Sequence, residues 1–160
     1  MGNFKEDIAR AEALIFDVDG VMTDGGIIPL PDGDFMRKYN AKDGYAIAYA
    51  VRVGCKIGII TGGRGRSLRH RLDMLGLTKI YMDCMDKIAA LNDFCTEQGV
   101  SPGRVVYMGD DIPDLECMRA VGIPVCPADA AAEVIEASRY VSELSLIHIS
   151  EPTRPISISY

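Results

Sequence analysis

Short apolar runs alternate with longer amphipathic stretches along most of the chain. Ala13-Leu14-Ile15-Phe16, Lys56-Ile57-Gly58-Ile59-Ile60, Lys79-Ile80-Tyr81-Met82 and Arg104-Val105-Val106-Tyr107-Met108 are brief and bounded by turn residues, so they read as buried strands. Helical patterns fill the intervals near 44–53, 65–75, 86–98 and 112–121, and Gly54, Gly76, Gly99 and Gly122 each stand where such a helix should stop. Strands alternating with helices of this length predict a parallel sheet joined by right-handed crossovers. The fold class is therefore α/β, a doubly wound parallel sheet, whose ligand crevice lies beyond the carboxyl ends of its strands.

Two segments depart from this rhythm. Residues 26–39 place apolar Ile27-Ile28 and Phe35-Met36 on either side of Pro31-Asp32-Gly33, the pattern of a β-hairpin with an Asp-Gly turn. The hairpin follows the first strand directly, so it should project over the crevice. Residues 143–160 carry two prolines and scattered Ser and Ile without a sustained period. This stretch reads as a poorly structured tail to a domain spanning 1–142.

Composition narrows the class. At 160 residues the chain has one domain's worth of core. It contains no apolar run of about 18 residues, the length a membrane helix needs. The N-terminal residues are charged where a secretory signal would be apolar, so the expected location is cytoplasmic. The five cysteines include no Cys-x-x-Cys pair, which disfavours zinc or a disulfide framework. A net charge of −6 argues against nucleic acid, whose backbone needs a basic face. An acidic protein can still act on an anionic substrate if a metal ion and a few placed Arg and Lys gather positive charge locally.

The strand ends supply candidates for that chemistry. Asp17 and Asp19, two residues apart, point the same way from the end of the first strand, and Gly20 lets the chain turn away. By itself this pair is as compatible with a solvated turn as with a site. The next strand ends in Thr61-Gly62-Gly63-Arg64, a hydroxyl and main-chain N–H groups at a strand-to-helix junction that suits phosphate oxygens. A later strand ends in Gly109-Asp110-Asp111, so Asp17 and Asp110 could share a hard cation such as Mg²⁺ with a backbone carbonyl. Lys87 follows Asp86 at a helix start, where it is a surface lysine unless it must offset the carboxylates. Assembled, these groups make a phosphoryl-transfer site. Asp17 attacks phosphorus, Asp19 serves as acid and then base, and Thr61 and Lys87 bind the equatorial oxygens.

The order Asp17-Val18-Asp19-Gly20, Thr61-Gly62-Gly63, Lys87 and Gly109-Asp110-Asp111-Ile112-Pro113-Asp114 resembles the haloacid dehalogenase superfamily of phosphatases. The resemblance implies a nucleophile at Asp17, an acid/base at Asp19, a phosphate-binding hydroxyl at Thr61 and the family's lysine at Lys87. It also implies magnesium held by Asp17, Asp110 and the Asp19 carbonyl, with Asp111 and Asp114 in support. Only the hairpin and one helix fit between Asp19 and Thr61, so no cap domain is expected. Thr23-Asp24-Gly25-Gly26, Lys38-Tyr39-Asn40-Ala41-Lys42-Asp43-Gly44 and Tyr107-Met108-Gly109-Asp110-Asp111 are similar to the capless 3-deoxy-D-manno-octulosonate 8-phosphate (KDO 8-phosphate) phosphatases. That likeness implies a sugar-acid phosphate as substrate and a homotetramer assembled through the hairpins.

The close relatives of that group that hydrolyse nonulosonate 9-phosphates tend to carry an acidic residue after the Thr-Gly pair. Here Gly63 and Arg64 occupy the loop, with Arg71 on the next helix. Arginines suit a substrate carboxylate, so Gly62, Arg64 and Arg71 join Thr61 and Lys87 as candidate substrate contacts. A solvated basic helix face, shared with Arg66 and Arg69, is the alternative reading of these arginines. A phospho-accepting receiver module also combines clustered Asp, Thr and Lys, but it places its acidic pair first and its Lys last. A non-catalytic assembly subunit would have no need of an acid/base at Asp19. The glycine-rich segment with which such phosphatases usually end is absent from 143–160.

Overall fold

A computed structural model describes residues 3–143 and 158–159. Six strands lie parallel in the order β5 (Lys79–Tyr81), β4 (Lys56–Ile60), β1 (Ala13–Phe16), β6 (Val105–Met108), β7 (Ile123–Pro127) and β8 (Tyr140–Ser142). A short strand β9 (Ile158–Ser159) adds antiparallel to β8. The expectation of a poorly structured tail over 143–160 otherwise falls, apart from Glu143, outside the described residues.

Strand periodicity sorts the core into two layers. Alternate side chains of a strand face opposite sides. Accordingly Phe16, Val106 and Met108 enter one apolar layer, while Ile15, Val105 and Tyr107 enter the other. The first layer is covered by α1 (Phe4–Arg10), α2 (Ala41–Arg52) and α3 (Arg66–Met74), which contribute Phe4, Ile47, Leu68 and Leu72. The second is covered by α4 (Lys87–Gln98), α5 (Leu115–Ala120) and α6 (Ala132–Ala137), through Leu91, Phe94, Met118 and Val134. Each fully buried side chain of this size contributes roughly 1.5–3 kcal/mol. The doubly wound α/β sheet predicted from the sequence is the observed architecture.

The first four predicted strands match β1, β4, β5 and β6 to within a residue. Helix α2 starts three residues before its predicted position because Asn40 caps it, its Oδ1 accepting N–H bonds from Lys42 (2.8 Å) and Asp43 (3.3 Å). The predicted helix over 112–121 divides into a 3₁₀ turn, Ile112–Asp114, followed by α5. Asp111 and Asp114 cap that turn reciprocally, and Pro113 occupies its first positions. Of the cysteines, Cys95, Cys117 and Cys126 are buried and all five are free thiols.

The hairpin comprises β2 (Thr23–Pro29) and β3 (Phe35–Tyr39). Its turn uses Gly33 at φ +86°, a conformation that favours glycine. The turn does not hang free. Asp34 Oδ2 accepts the Ser67 N–H at 2.9 Å and Asp34 Oδ1 accepts the Ser67 hydroxyl at 3.0 Å. Gly65, at the N-cap of α3, has no side chain of its own to offer, so a hairpin residue performs the capping. The hairpin is thereby fixed against the loop that follows β4.

Candidate active site

Strands β1, β4 and β6 lie side by side at the centre of the sheet, and their carboxyl ends deliver the candidate residues to one cleft. Asp17 follows β1, and its N–H donates to the Met108 carbonyl at 3.0 Å, extending the ladder by one bond. The Asp17 side chain is buried, with Oδ1 held by the Val18 N–H at 2.7 Å and Oδ2 3.2 Å from Lys87 Nζ. Lys87 is buried too, and it also reaches Asp114 Oδ1 at 2.8 Å. It occupies the first turn of α4, with Asp86 capping through the Ala89 N–H. Two carboxylates and one ammonium thus form a closed ionic cluster beneath the cleft.

Asp114 is the most enclosed member. Its Oδ1 accepts bonds from Lys87 and from the Tyr107 hydroxyl (2.7 Å), and its Oδ2 accepts the N–H groups of Asp110 (3.1 Å) and Asp111 (3.4 Å). It therefore shapes the loop that carries Asp110. Carboxylate oxygens of Asp17, Asp110 and Asp114 lie within 4.8 Å of one another. Asp110 Oδ1 is buried without a hydrogen-bond partner among the described residues. Buried carboxylate oxygens are rarely left so, and a hard divalent cation is the group that this donor set fits.

The electrostatics agree. Burial pushes the Asp17 carboxyl up to about 6, Asp114 pushes the same way, and Lys87 opposes both. Burial and the neighbouring Asp17 and Asp114 raise Asp110 to about 7. Burial pulls Lys87 down, but Asp17 and Asp114 outweigh it and leave the ammonium held above its ordinary range. One lysine cannot neutralise the carboxylates gathered around it, and a cation beside Asp110 removes the deficit.

Similarity to known proteins gives this geometry a family. Residues 73–145 match the haloacid dehalogenase-like hydrolase family. The chain is 36% identical over 141 residues to the 3-deoxy-D-manno-octulosonate 8-phosphate phosphatase of Escherichia coli K12, covering 86% of this chain and 75% of that protein. The crystal structure of the corresponding Yersinia pestis phosphatase superposes with a TM-score of 0.84 at 34% identity, covering 88% of this chain and 76% of that one. A Moraxella catarrhalis phosphatase of the same name, in complex with magnesium, phosphate and KDO, superposes with a TM-score of 0.82 at 26% identity, covering 88% of this chain and 80% of that one. The chain belongs to the KDO 8-phosphate phosphatase family.

Only the hairpin, α2 and β4 lie between Asp19 and Thr61, so no cap domain is inserted there. The cleft, about 540 Å³, is lined by Asp17, Asp19, Thr61, Gly62, Arg64 and Lys87, with Asp110 beside them. Thr61 Oγ1 accepts the Gly63 N–H at 2.9 Å, which leaves the hydroxyl proton available to a ligand. Gly20, at φ +84°, passes so close to the Asp110 carboxylate that a Cβ there would collide with it. That glycine is required both by the turn and by the acidic pair it lets converge.

One predicted residue lies elsewhere. Arg71 sits on the inward stripe of α3 between Leu68 and Leu72, its guanidinium 5.2 Å from the centre of the Tyr39 ring and against Gly44 of α2. The helical period turns it toward β3 and α2 rather than toward the cleft. Conversely, Arg37 and Tyr107 take part in the site without having been singled out from the sequence. Arg37 shares the inner face of β3 with Phe35 and Tyr39, where an arginine is out of place unless it has a partner.

Proposed function

We propose that this chain hydrolyses KDO 8-phosphate to KDO and inorganic phosphate through a phosphoryl group carried transiently on Asp17. The observation that carries this reading is the buried Asp17–Lys87–Asp114 cluster beside the unpartnered Asp110 oxygen, in a chain of this family. Asp17, Asp110 and the Asp19 carbonyl would hold magnesium, which would supply positive charge to offset the carboxylates and the phosphate. An Asp17 oxygen attacks phosphorus, and the bond to the sugar oxygen breaks with its electron pair leaving on that oxygen. Asp19 donates a proton to the departing oxygen, then takes one from the water that cleaves the acyl phosphate and frees Asp17. Lys87 and the Thr61 hydroxyl bind the equatorial oxygens, where negative charge collects. The cytoplasmic location expected from the sequence is part of this reading; among the described residues, no helix is long and apolar enough to cross a membrane.

Arg64 is exposed on the rim of the cleft, where its guanidinium can pair with the substrate's carboxylate. Phosphate release measured with KDO 8-phosphate, KDN 9-phosphate and N-acetylneuraminate 9-phosphate tests the assignment. The expected kcat/KM for KDO 8-phosphate exceeds the others by about 10-fold or more, a difference of about 1.4 kcal/mol. A preference for either nonulosonate would transfer the assignment to that substrate, and no release from any ester would end it.

We also propose that the enzyme is a homotetramer joined through the hairpins. Ile27, Ile28 and Met36 are 50%, 59% and 53% exposed on a two-stranded sheet that buries little by itself. Light scattering should give four times the chain mass, whereas a monomer, or a tetramer unaffected by Ile28→Lys, would remove the hairpin as the contact.

A further inference from the structure

The mechanism needs Asp19 in one orientation twice, yet the main chain does little to hold it. Asp19 lies in the loop between β1 and β2, and its side chain is 30% exposed. What fixes it is Arg37, from the facing hairpin strand. Arg37 Nε donates to Asp19 Oδ1 at 2.7 Å and Nη2 donates to Oδ2 at 3.3 Å, a two-pronged pair. The third nitrogen, Nη1, reaches the Arg64 carbonyl at 3.5 Å. Arg37 passes close over Gly63, where a Cβ would sit only 3.0 Å from Nη2. Its side chain is only 3% exposed, and although it shares the cleft wall with Asp19, the Asp19 carboxylate at 30% exposure is the more open of the two to a ligand.

We propose that Arg37 is the positioning residue of the acid/base: it anchors Asp19 through Oδ1 and leaves Oδ2 to transfer the proton. The two contacts are unequal. The short Nε–Oδ1 bond is the anchor, while the longer Nη2–Oδ2 contact is the one that yields when Oδ2 engages the ester oxygen. As the phosphorus–oxygen bond breaks, its electron pair stays on the sugar oxygen and the proton on Asp19 Oδ2 moves to it. Through the Arg64 carbonyl, the same side chain ties the acid/base to the phosphate-binding loop, so hairpin, loop and proton donor move as one unit.

The proposal rests on the aspartyl-phosphate reading above, and leaving-group chemistry separates the two. Wild-type turnover of KDO 8-phosphate tests that reading; the ratio of variant to wild type across esters tests Arg37. Arg37→Gln and Arg37→Lys are compared with wild type on KDO 8-phosphate, arabinose 5-phosphate and p-nitrophenyl phosphate, with thermal melts to establish folding. For Arg37→Gln, kcat/KM should fall about 100-fold on both sugar esters, whose alkoxides need a proton, and by no more than about 3-fold on the nitrophenyl ester, which departs without one. Arg37→Lys should recover part of the loss. In an Asp19→Asn background, Arg37→Gln should add less than about 2-fold, because the group it serves is already gone. Equal losses on all three esters would reduce Arg37 to a structural role. A loss confined to KDO 8-phosphate would make it a carboxylate ligand, and a full additional loss beside Asp19→Asn would sever it from the acid/base; each result overturns the proposal.

Discussion

Asp17→Asn should abolish turnover, with kcat lowered about 10⁴-fold or more, while the domain stays folded. The replacement keeps the shape and the oxygen that accepts the Val18 N–H, so the end of β1 is retained. It substitutes an amide for the carboxylate that we propose attacks phosphorus, and an amide is a poor nucleophile. It also presents an NH₂ group to Lys87 Nζ, 3.2 Å from the present Oδ2, where donor meets donor. Against that cost stands the relief of removing a carboxyl that burial has already raised to about 6. The two effects oppose each other, so the melting temperature should change little. Rapid acid quenching with labelled substrate should trap phosphate on the wild-type protein and none on the variant. A variant that keeps measurable turnover and protein-bound label would place the nucleophile elsewhere.

The parts of the fold that were legible in the sequence are those where local pattern and tertiary role coincide. Strands β1, β4, β5 and β6 are short apolar runs closed by turn residues, and their helices end at glycines. Strand β7 was missed because Ile123-Pro124-Val125-Cys126-Pro127 carries two prolines, which ordinarily argue against a central strand. Its geometry explains the tolerance. The Pro124 carbonyl accepts the Arg139 N–H on the β8 side, so its missing N–H points the same way, to a level where β8 has not yet begun. Helices α1 and α6 span 7 and 6 residues, too few to display a period.

The candidate site divides in the same manner. Asp17, Asp19, Thr61, Lys87 and Asp110 each follow a strand or open a helix, so order along the chain was enough to bring them to one cleft. Arg64 was placed there by adjacency to Thr61. Arg71, also assigned to the cleft, does not reach it, because six residues of loop and helix stand between it and Arg64, and the helical turn decides which way it faces. The depth of Asp114 was hidden as well. Its position after Asp110 signalled support, but only the structure shows it collecting Lys87, Tyr107 and two main-chain N–H groups at once. Such convergence depends on three separate elements and leaves no local trace in the sequence.

Lys87→Met should have the largest effect on stability. The ammonium is the only cation in direct contact with Asp17 and Asp114 among the described residues, and all three groups are buried. Breaking a buried ionic cluster by deleting one partner costs about 3–5 kcal/mol, because the remaining charges are left uncompensated. For a chain of this length, that corresponds to a fall in melting temperature of roughly 10 °C. The pH dependence has a definite sign. A carboxyl raised in the folded state weakens folding as pH climbs from its unfolded value, 3.8 for Asp17, through its folded value of about 6, and the loss is complete above that. Without Lys87 the carboxyl rises further, so the penalty extends to higher pH. The deficit of the variant should therefore be greatest near pH 8 and shrink toward pH 5, where protons replace the missing cation. Magnesium in excess should narrow it at pH 8 for the same electrostatic reason, without restoring activity, since on the proposed mechanism Lys87 also binds the phosphate, a contact worth about 10²–10³ in kcat. Melts of both proteins at pH 5 and pH 8, with magnesium and with chelator, test this directly. A gap that is absent at pH 8, or that widens on acidification, would show that Lys87 is not the counter-ion of the buried carboxylates.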